Sequence, residues 1–84
     1  METITLNDGT VVNGHCFEDD ENLFVYLDGM SVVEGVILFG NEEKSRVITA
    51  HNHGNEHVYE GYTQVYSASH EFGNCNLVMR RPKN

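Results

Sequence analysis

Three histidines fall within seven residues, His51, His53 and His57 of HNHGNEH. Neutral imidazole is a good ligand for Zn, Ni or Cu, and three imidazoles from one hairpin could make a facial site with an open position. Strand geometry sets the condition. Side chains alternate between faces, so His51 and His53 share one face of a strand. His57 joins them if the loop has three residues, Gly54–Glu56, and points to the other face if the loop is Gly54-Asn55. No cofactor is expected, and zinc is the one candidate that these residues raise. The competing reading is the stronger: polar residues around an exposed hairpin tip, near the Gly and Asn that favour turns.

Other chemistry-bearing groups are less organised. Glu18, Asp19, Asp20 and Glu21 form the most acidic run. They lack the alternating oxygen ligands and central Gly of an EF-hand loop, so they read as a solvated tip that could contact a partner. Cys16 or Cys75 could be paired with His15 or His70 as a nucleophile, but no local signature sets that geometry. No Gly-rich phosphate loop precedes a helix. A pocketed enzyme of this size is uncommon, and a non-catalytic protein is expected. Tyr59, Tyr62 and Tyr66, with Tyr26, offer apolar area with a polar tip, the composition of interfaces. Tyr59 and Tyr62 are the candidate partner-binding aromatics.

The elements that must position these groups fit in one domain spanning 1–84, with no room for a second core. The net charge of −8 is uneven. All thirteen acids precede residue 80 against Lys44 and Arg46 only, a balance of −11, and Arg80, Arg81 and Lys83 return +3. Such a body repels phosphate backbones, which disfavours direct nucleic-acid binding and favours a protein partner with a basic surface. The uninterrupted apolar run Val36–Phe39 is far short of a signal core or a membrane span. A cytosolic setting is therefore expected. There Cys16 and Cys75 are free thiols, although sequence alone leaves a bridge open.

Ser31–Asn41, SVVEGVILFGN, is the most apolar segment. Ser31 and Glu34 have capping-box spacing, and Val32, Val33, Val36, Ile37 and Phe39 make one apolar face. Gly40-Asn41 is a stop signal through the left-handed conformation. These signals favour a helix over the rival, a hairpin turning at Glu34-Gly35, which the β-branched residues support. Glu42, Glu43 and Lys44 could add one more turn. Strands are expected at Thr3–Leu6, Val11–Phe17, Leu23–Leu27, Arg46–Asn52, His57–Ser69 and Cys75–Arg81, with turns at Asp8-Gly9, Glu18–Asn22, His53–Glu56 and His70–Asn74. Leu23–Leu27 is apolar on both faces, as a central strand would be. His57–Ser69 is one bent strand or two, with Gly61 as the kink. The fold class is α+β, mainly β: a curled antiparallel sheet or small partly open barrel of about six strands, with one short helix at 31–41.

The runs ITLNDGT (Ile4–Thr10), LFVYLDGMS (Leu23–Ser31), NEEKSRVITA (Asn41–Ala50), YEGYT (Tyr59–Thr63) and GNCNLVMRR (Gly73–Arg81) together resemble small proteins encoded by phages and prophages of gut Firmicutes. The resemblance implies a context, the bacterial host cytoplasm or a virion, and no activity for any residue. Two classes of function follow. One is an inhibitor of a host defence protein, of the anti-CRISPR type, whose acidic surface occupies a basic nucleic-acid channel. The other is a virion-associated or accessory structural protein that forms a homo-oligomer.

Overall fold

The computed structural model describes residues 2–83. Its elements follow in the order β1 (Thr3–Thr5), β2 (Val11–Glu18), β3 (Asn22–Asp28), α1 (Val32–Phe39), α2 (Glu42–Ser45), β4 (Val47–Asn52), β5 (Asn55–Glu60), β6 (Gln64–Glu71) and β7 (Asn74–Arg80). The strands form one open sheet ordered β5-β4-β1-β2-β3-β7-β6, and every neighbouring pair is antiparallel. As the apolar pattern on both faces of Leu23–Leu27 predicts, β3 is interior, flanked by β2 and β7. No helix among the described residues is long and apolar enough to cross a membrane.

Among the described residues seven strands and two helices stand where the sequence predicts about six and one. His57–Ser69 is divided at Gly61, whose φ of +83° turns the chain out of β5. The second helix arises because Asn41 is extended and caps it, its Oδ1 accepting from the Glu43 and Lys44 amides at 3.0 and 3.2 Å. The left-handed stop expected at Gly40-Asn41 is not used. Gly40 stays right-handed at φ −78° and donates its N–H to the Val36 carbonyl at 2.8 Å. At the start of α1, Ser31 Oγ accepts from the Glu34 amide at 3.2 Å. The Glu34 carboxylate closes the box on the Ser31 hydroxyl, not on its amide.

Strand alternation sorts the residues onto two faces. Ile4, Leu23, Val25, Leu27, Ile48, Cys75, Leu77 and Met79 point inward, and with Leu6, Phe39 and Tyr62 they form the core. Full burial of each aliphatic side chain contributes roughly 1.5–3 kcal/mol. β2 serves two neighbours. It pairs with β1 through Val11–Asn13 and with β3 through Gly14–Glu18. At the changeover a Cβ on Gly14 would run into the Tyr26 carbonyl oxygen, so only glycine fits.

The helix buries a different side from the one its valines suggest. Gly35 and Phe39 are buried and Val32 and Leu38 pack against the core, while Val33 and Ile37 are 68% and 67% exposed. The cause is the closeness of α1 to the sheet. A Cβ at Gly35 would lie 2.6 Å from Cys75 Sγ and 3.3 Å from Leu27 Cδ1. The helix therefore lies down on its smallest residue, and the face 32–35–39 turns inward. The roughly 1 kcal/mol that Gly costs in a helix is offset by the burial this allows.

The Gly35→Ala substitution accordingly lowers stability by about 1–3 kcal/mol despite better helix propensity. In urea denaturation, the Cys75→Ala background should recover part of that loss. Purely additive effects would show that the contact does not govern the docking of α1.

Candidate functional site

Helix α1 packs on the inner side of the sheet, against Leu27 and Cys75, and the outer side of β2 and β3 faces solvent. The register places His15 opposite Tyr26 and Phe17 opposite Phe24 on that side. Their rings stack: His15 on Tyr26 at 4.9 Å between centroids, Phe17 on Phe24 at 5.0 Å, and Phe17 on Tyr26 at 5.7 Å. Phe17 is 49% exposed. Phe24 continues to Val78 and Tyr26 to Asn76 on β7. Beside them Tyr66, on the bulge of β6, lies under the Arg80 guanidinium, 3.5 Å from its ring centroid. Alternation also puts Asp28, Glu56, Glu60 and Glu71 on this side, and Glu2 approaches His15 at 4.0 Å. Among the described residues, Arg80 is the only Lys or Arg within the strands.

The acidic tip behaves differently from a free anionic loop. Asp19 Oδ1 accepts from the Glu21 and Asn22 amides at 3.0 and 2.9 Å. Those backbone bonds hold its carboxyl below the usual range. Glu18 accepts from the Tyr62 hydroxyl at 2.6 Å. Asp20 and Glu21 line a recess together with Arg80, Arg81 and Lys83. The C-terminal cations thus meet the densest acids.

Of the two tyrosines singled out from the sequence, Tyr62 is 1% exposed and belongs to the core, and Tyr59 is half-buried against it. The Tyr62 ring offers no contact face, and that of Tyr59 is open only in part. Tyr66 is the exposed tyrosine. Burial, followed by the Glu18 carboxylate, pushes the Tyr62 phenol up, while Arg81 Nη1, donating to its oxygen at 3.1 Å, pulls it down. The balance is a raised value.

The three histidines do not converge. The turn is His53-Gly54, with φ of +49° and +83°, a two-residue loop earlier than either loop considered from the sequence. His51 then faces Glu56, and His57 faces Ala50 on the inner side. His51 instead contacts Thr5 Oγ1 at 3.2 Å, and His57 stacks on Tyr59 at 6.5 Å. Among the described residues no three His, Cys, Asp or Glu side chains gather as a metal ion requires. Cys16 and Cys75 are free thiols. They point inward from strands on either side of β3, about 10 Å apart by strand spacing, beyond the reach of a disulfide. Burial, with a smaller effect of Glu18, pushes the Cys16 thiol up to about 12, the opposite of an activated nucleophile.

The aromatic ladder is the feature that the sequence reading missed, although half of it was visible. Phe24 and Tyr26 share a face by alternation, as do His15 and Phe17. Pairing the inward sets of both strands, Cys16 against Val25, brings the outward rings together.

No protein-family model, curated protein or solved structure matches this chain.

Tyr62→Phe should cost about 1–3 kcal/mol, because Glu18 and Arg81 lose their shared partner in a part-buried place. A raised native pKa means that the folded state keeps a proton which the unfolded chain releases. This stability is complete below the ordinary pKa of 10.0 and is lost as the pH rises through the native value. Urea midpoints across this range should fall less steeply for Tyr62→Phe than for wild type.

Proposed function

We propose that this chain is a non-catalytic protein-binding module. Its contact surface is the outer side of β2 and β3, and its partner is a protein with basic residues around an apolar contact. The observation that carries this reading is the stacked, solvent-facing set His15, Phe17, Phe24 and Tyr26, bordered by the Glu2 and Asp28 carboxylates. Aromatic faces attract Lys and Arg side chains by about 0.5–1 kcal/mol when exposed and about 2 kcal/mol when desolvated. The acidic border lengthens the range of that attraction and speeds association. Aromatic residues at the centre of an interface with charges at its rim are the usual division of labour.

Occupation of a basic nucleic-acid groove, as an anti-defence inhibitor would achieve, is one use of such a surface. In that case the sheet face carries the contact, not the loop at Glu18–Glu21. Glu18 is committed to Tyr62, and cations share the recess with Asp20 and Glu21.

The test is a paired capture from bacterial lysate with immobilised wild type and Phe17→Ala, a half-exposed ring whose removal leaves the core intact. A basic protein held by wild type should bind Phe17→Ala at least tenfold more weakly, about 1.4 kcal/mol, and should be released by salt. Capture that does not distinguish the two proteins, or that retains only acidic ones, contradicts the reading.

A second reading, self-assembly into a structural oligomer, draws on α1. Val33, Val36 and Ile37 form an exposed apolar stripe at the spacing of one helix face. Light scattering should then give at least twice the protomer mass for wild type and the protomer mass for Ile37→Glu. A wild-type monomer at high concentration excludes it.

A further inference from the structure

In a chain with so many acids, Arg80 and Arg81 are not spent on carboxylates. Among the described residues the ion pairs within 4.0 Å are His15 with Glu2, Lys44 with Asp8 and His51 with Glu56. Each arginine is held instead by neutral acceptors and an aromatic ring. Arg80 Nε donates to Asn22 Oδ1 at 2.7 Å, and its guanidinium lies over Tyr66. Arg81 Nε donates to the Glu60 carbonyl at 3.1 Å, its Nη1 to the Tyr62 hydroxyl at 3.1 Å, and its guanidinium carbon is 4.0 Å from the Tyr62 centroid. Both heads are therefore oriented before any ligand arrives, and both keep unused N–H groups on their terminal nitrogens. They line an open recess of about 250 Å³ together with Lys83, Asp20 and Glu21.

We propose that this recess binds a small zwitterion of the α-amino acid class. Its carboxylate is taken by Arg80 and Arg81, and its ammonium group by Asp20 and Glu21. The guanidinium fork matches a carboxylate with two parallel hydrogen bonds. Pre-orientation lowers the ordering cost of binding, because the arginine side chains are already constrained. Two acids in the same lining, in a chain of net charge −8, oppose a simple anion. A zwitterion carries no net charge against that field and satisfies both signs. The volume lies just below the roughly 300 Å³ where pockets for drug-sized ligands begin, which suits a ligand of a few heavy atoms. The recess adjoins the aromatic sheet face at Arg80 but uses none of its stacked rings, and its test does not depend on the protein partner.

The test is an NMR titration of ¹⁵N-labelled full-length protein with glycine and with L-glutamine. Acetate, methylammonium and inorganic phosphate are titrated at matched ionic strength. Shifts confined to Asp20, Glu21, Arg80, Arg81 and Lys83 should saturate with the amino acids, and acetate and methylammonium should bind at least tenfold more weakly. Arg80→Gln should weaken amino-acid binding about tenfold, and Arg80→Lys should restore only part of it, because the charge returns without the fork. A dispersed spectrum shows that each variant is folded. Asp20→Asn with Glu21→Gln, both in an exposed loop, gives a second measure: weaker binding of glycine and tighter binding of acetate. The proposal is overturned if acetate or phosphate binds wild type as tightly as glycine, if the shifts fail to saturate, or if Arg80→Gln leaves glycine affinity unchanged.

Discussion

A tyrosine hydroxyl cannot be buried without partners, and Tyr62 is the largest fully buried side chain of this protein. Its hydroxyl donates to Glu18 and accepts from Arg81. Those two bonds join three places remote in sequence: the end of β2, the connection from β5 to β6 and the residue after β7. The edge strands of the sheet, β5 and β6, are consecutive in the chain. The curl must therefore bring the end of one edge strand to the start of the other, and Tyr62 sits at that junction. Its ring fills the core there while its hydroxyl ties the surrounding elements together. The arrangement also removes Glu18 from the free acidic surface and points Arg81 toward the recess.

Two glycines set the remaining geometry by absence of a side chain. Gly14 lets β2 pass from one partner strand to the other against the Tyr26 carbonyl. Gly35 lets α1 approach Cys75 and Leu27. The second contact decides which residues face out. Once the helix rests on Gly35, the opposite stripe of Val33, Val36 and Ile37 is left in solvent, although it is among the most apolar parts of the sequence. With α1 against the inner side, the outer face of β2 and β3 is left partly open to solvent. Its stacked rings shield one another in part, which reduces the cost of exposing them to water.

Charge is organised more locally than the net value suggests. The long-range field is negative, and it favours approach of a basic protein surface over a polyanion. At short range the chain end changes sign. Arg80, Arg81 and Lys83 lie next to Asp20 and Glu21, and this end of the sheet carries both charges side by side. Phosphate mimicry needs acids without adjacent cations, so the aromatic face rather than the acidic tip dominates the functional reading. Cys16 and Cys75 point inward, with thiol pKa values raised by burial. They act as small apolar residues of the interior.

Local chemistry was legible in the sequence wherever a few neighbouring residues suffice. The Ser31–Glu34 spacing gave the start of α1, Asp8-Gly9 gave the first hairpin, with Gly9 at φ +91°, and the double apolar pattern of Leu23–Leu27 gave an interior strand. Asn41 as a second cap, and the break at Gly61, were written in the same local terms but could be read in more than one way. Tertiary structure alone decided the rest. The two-residue turn at His53-Gly54, in place of a three-residue loop, put His57 on the opposite face from His51, because side chains alternate and the register follows the turn. The rotation of α1 depended on what Gly35 would touch, and that atom belongs to a residue forty positions later. The convergence of Glu18, Tyr62 and Arg81, and the stacking of rings from two strands, likewise depend on register. Register is set by the simultaneous burial of all inward side chains, a condition that no short stretch of sequence contains.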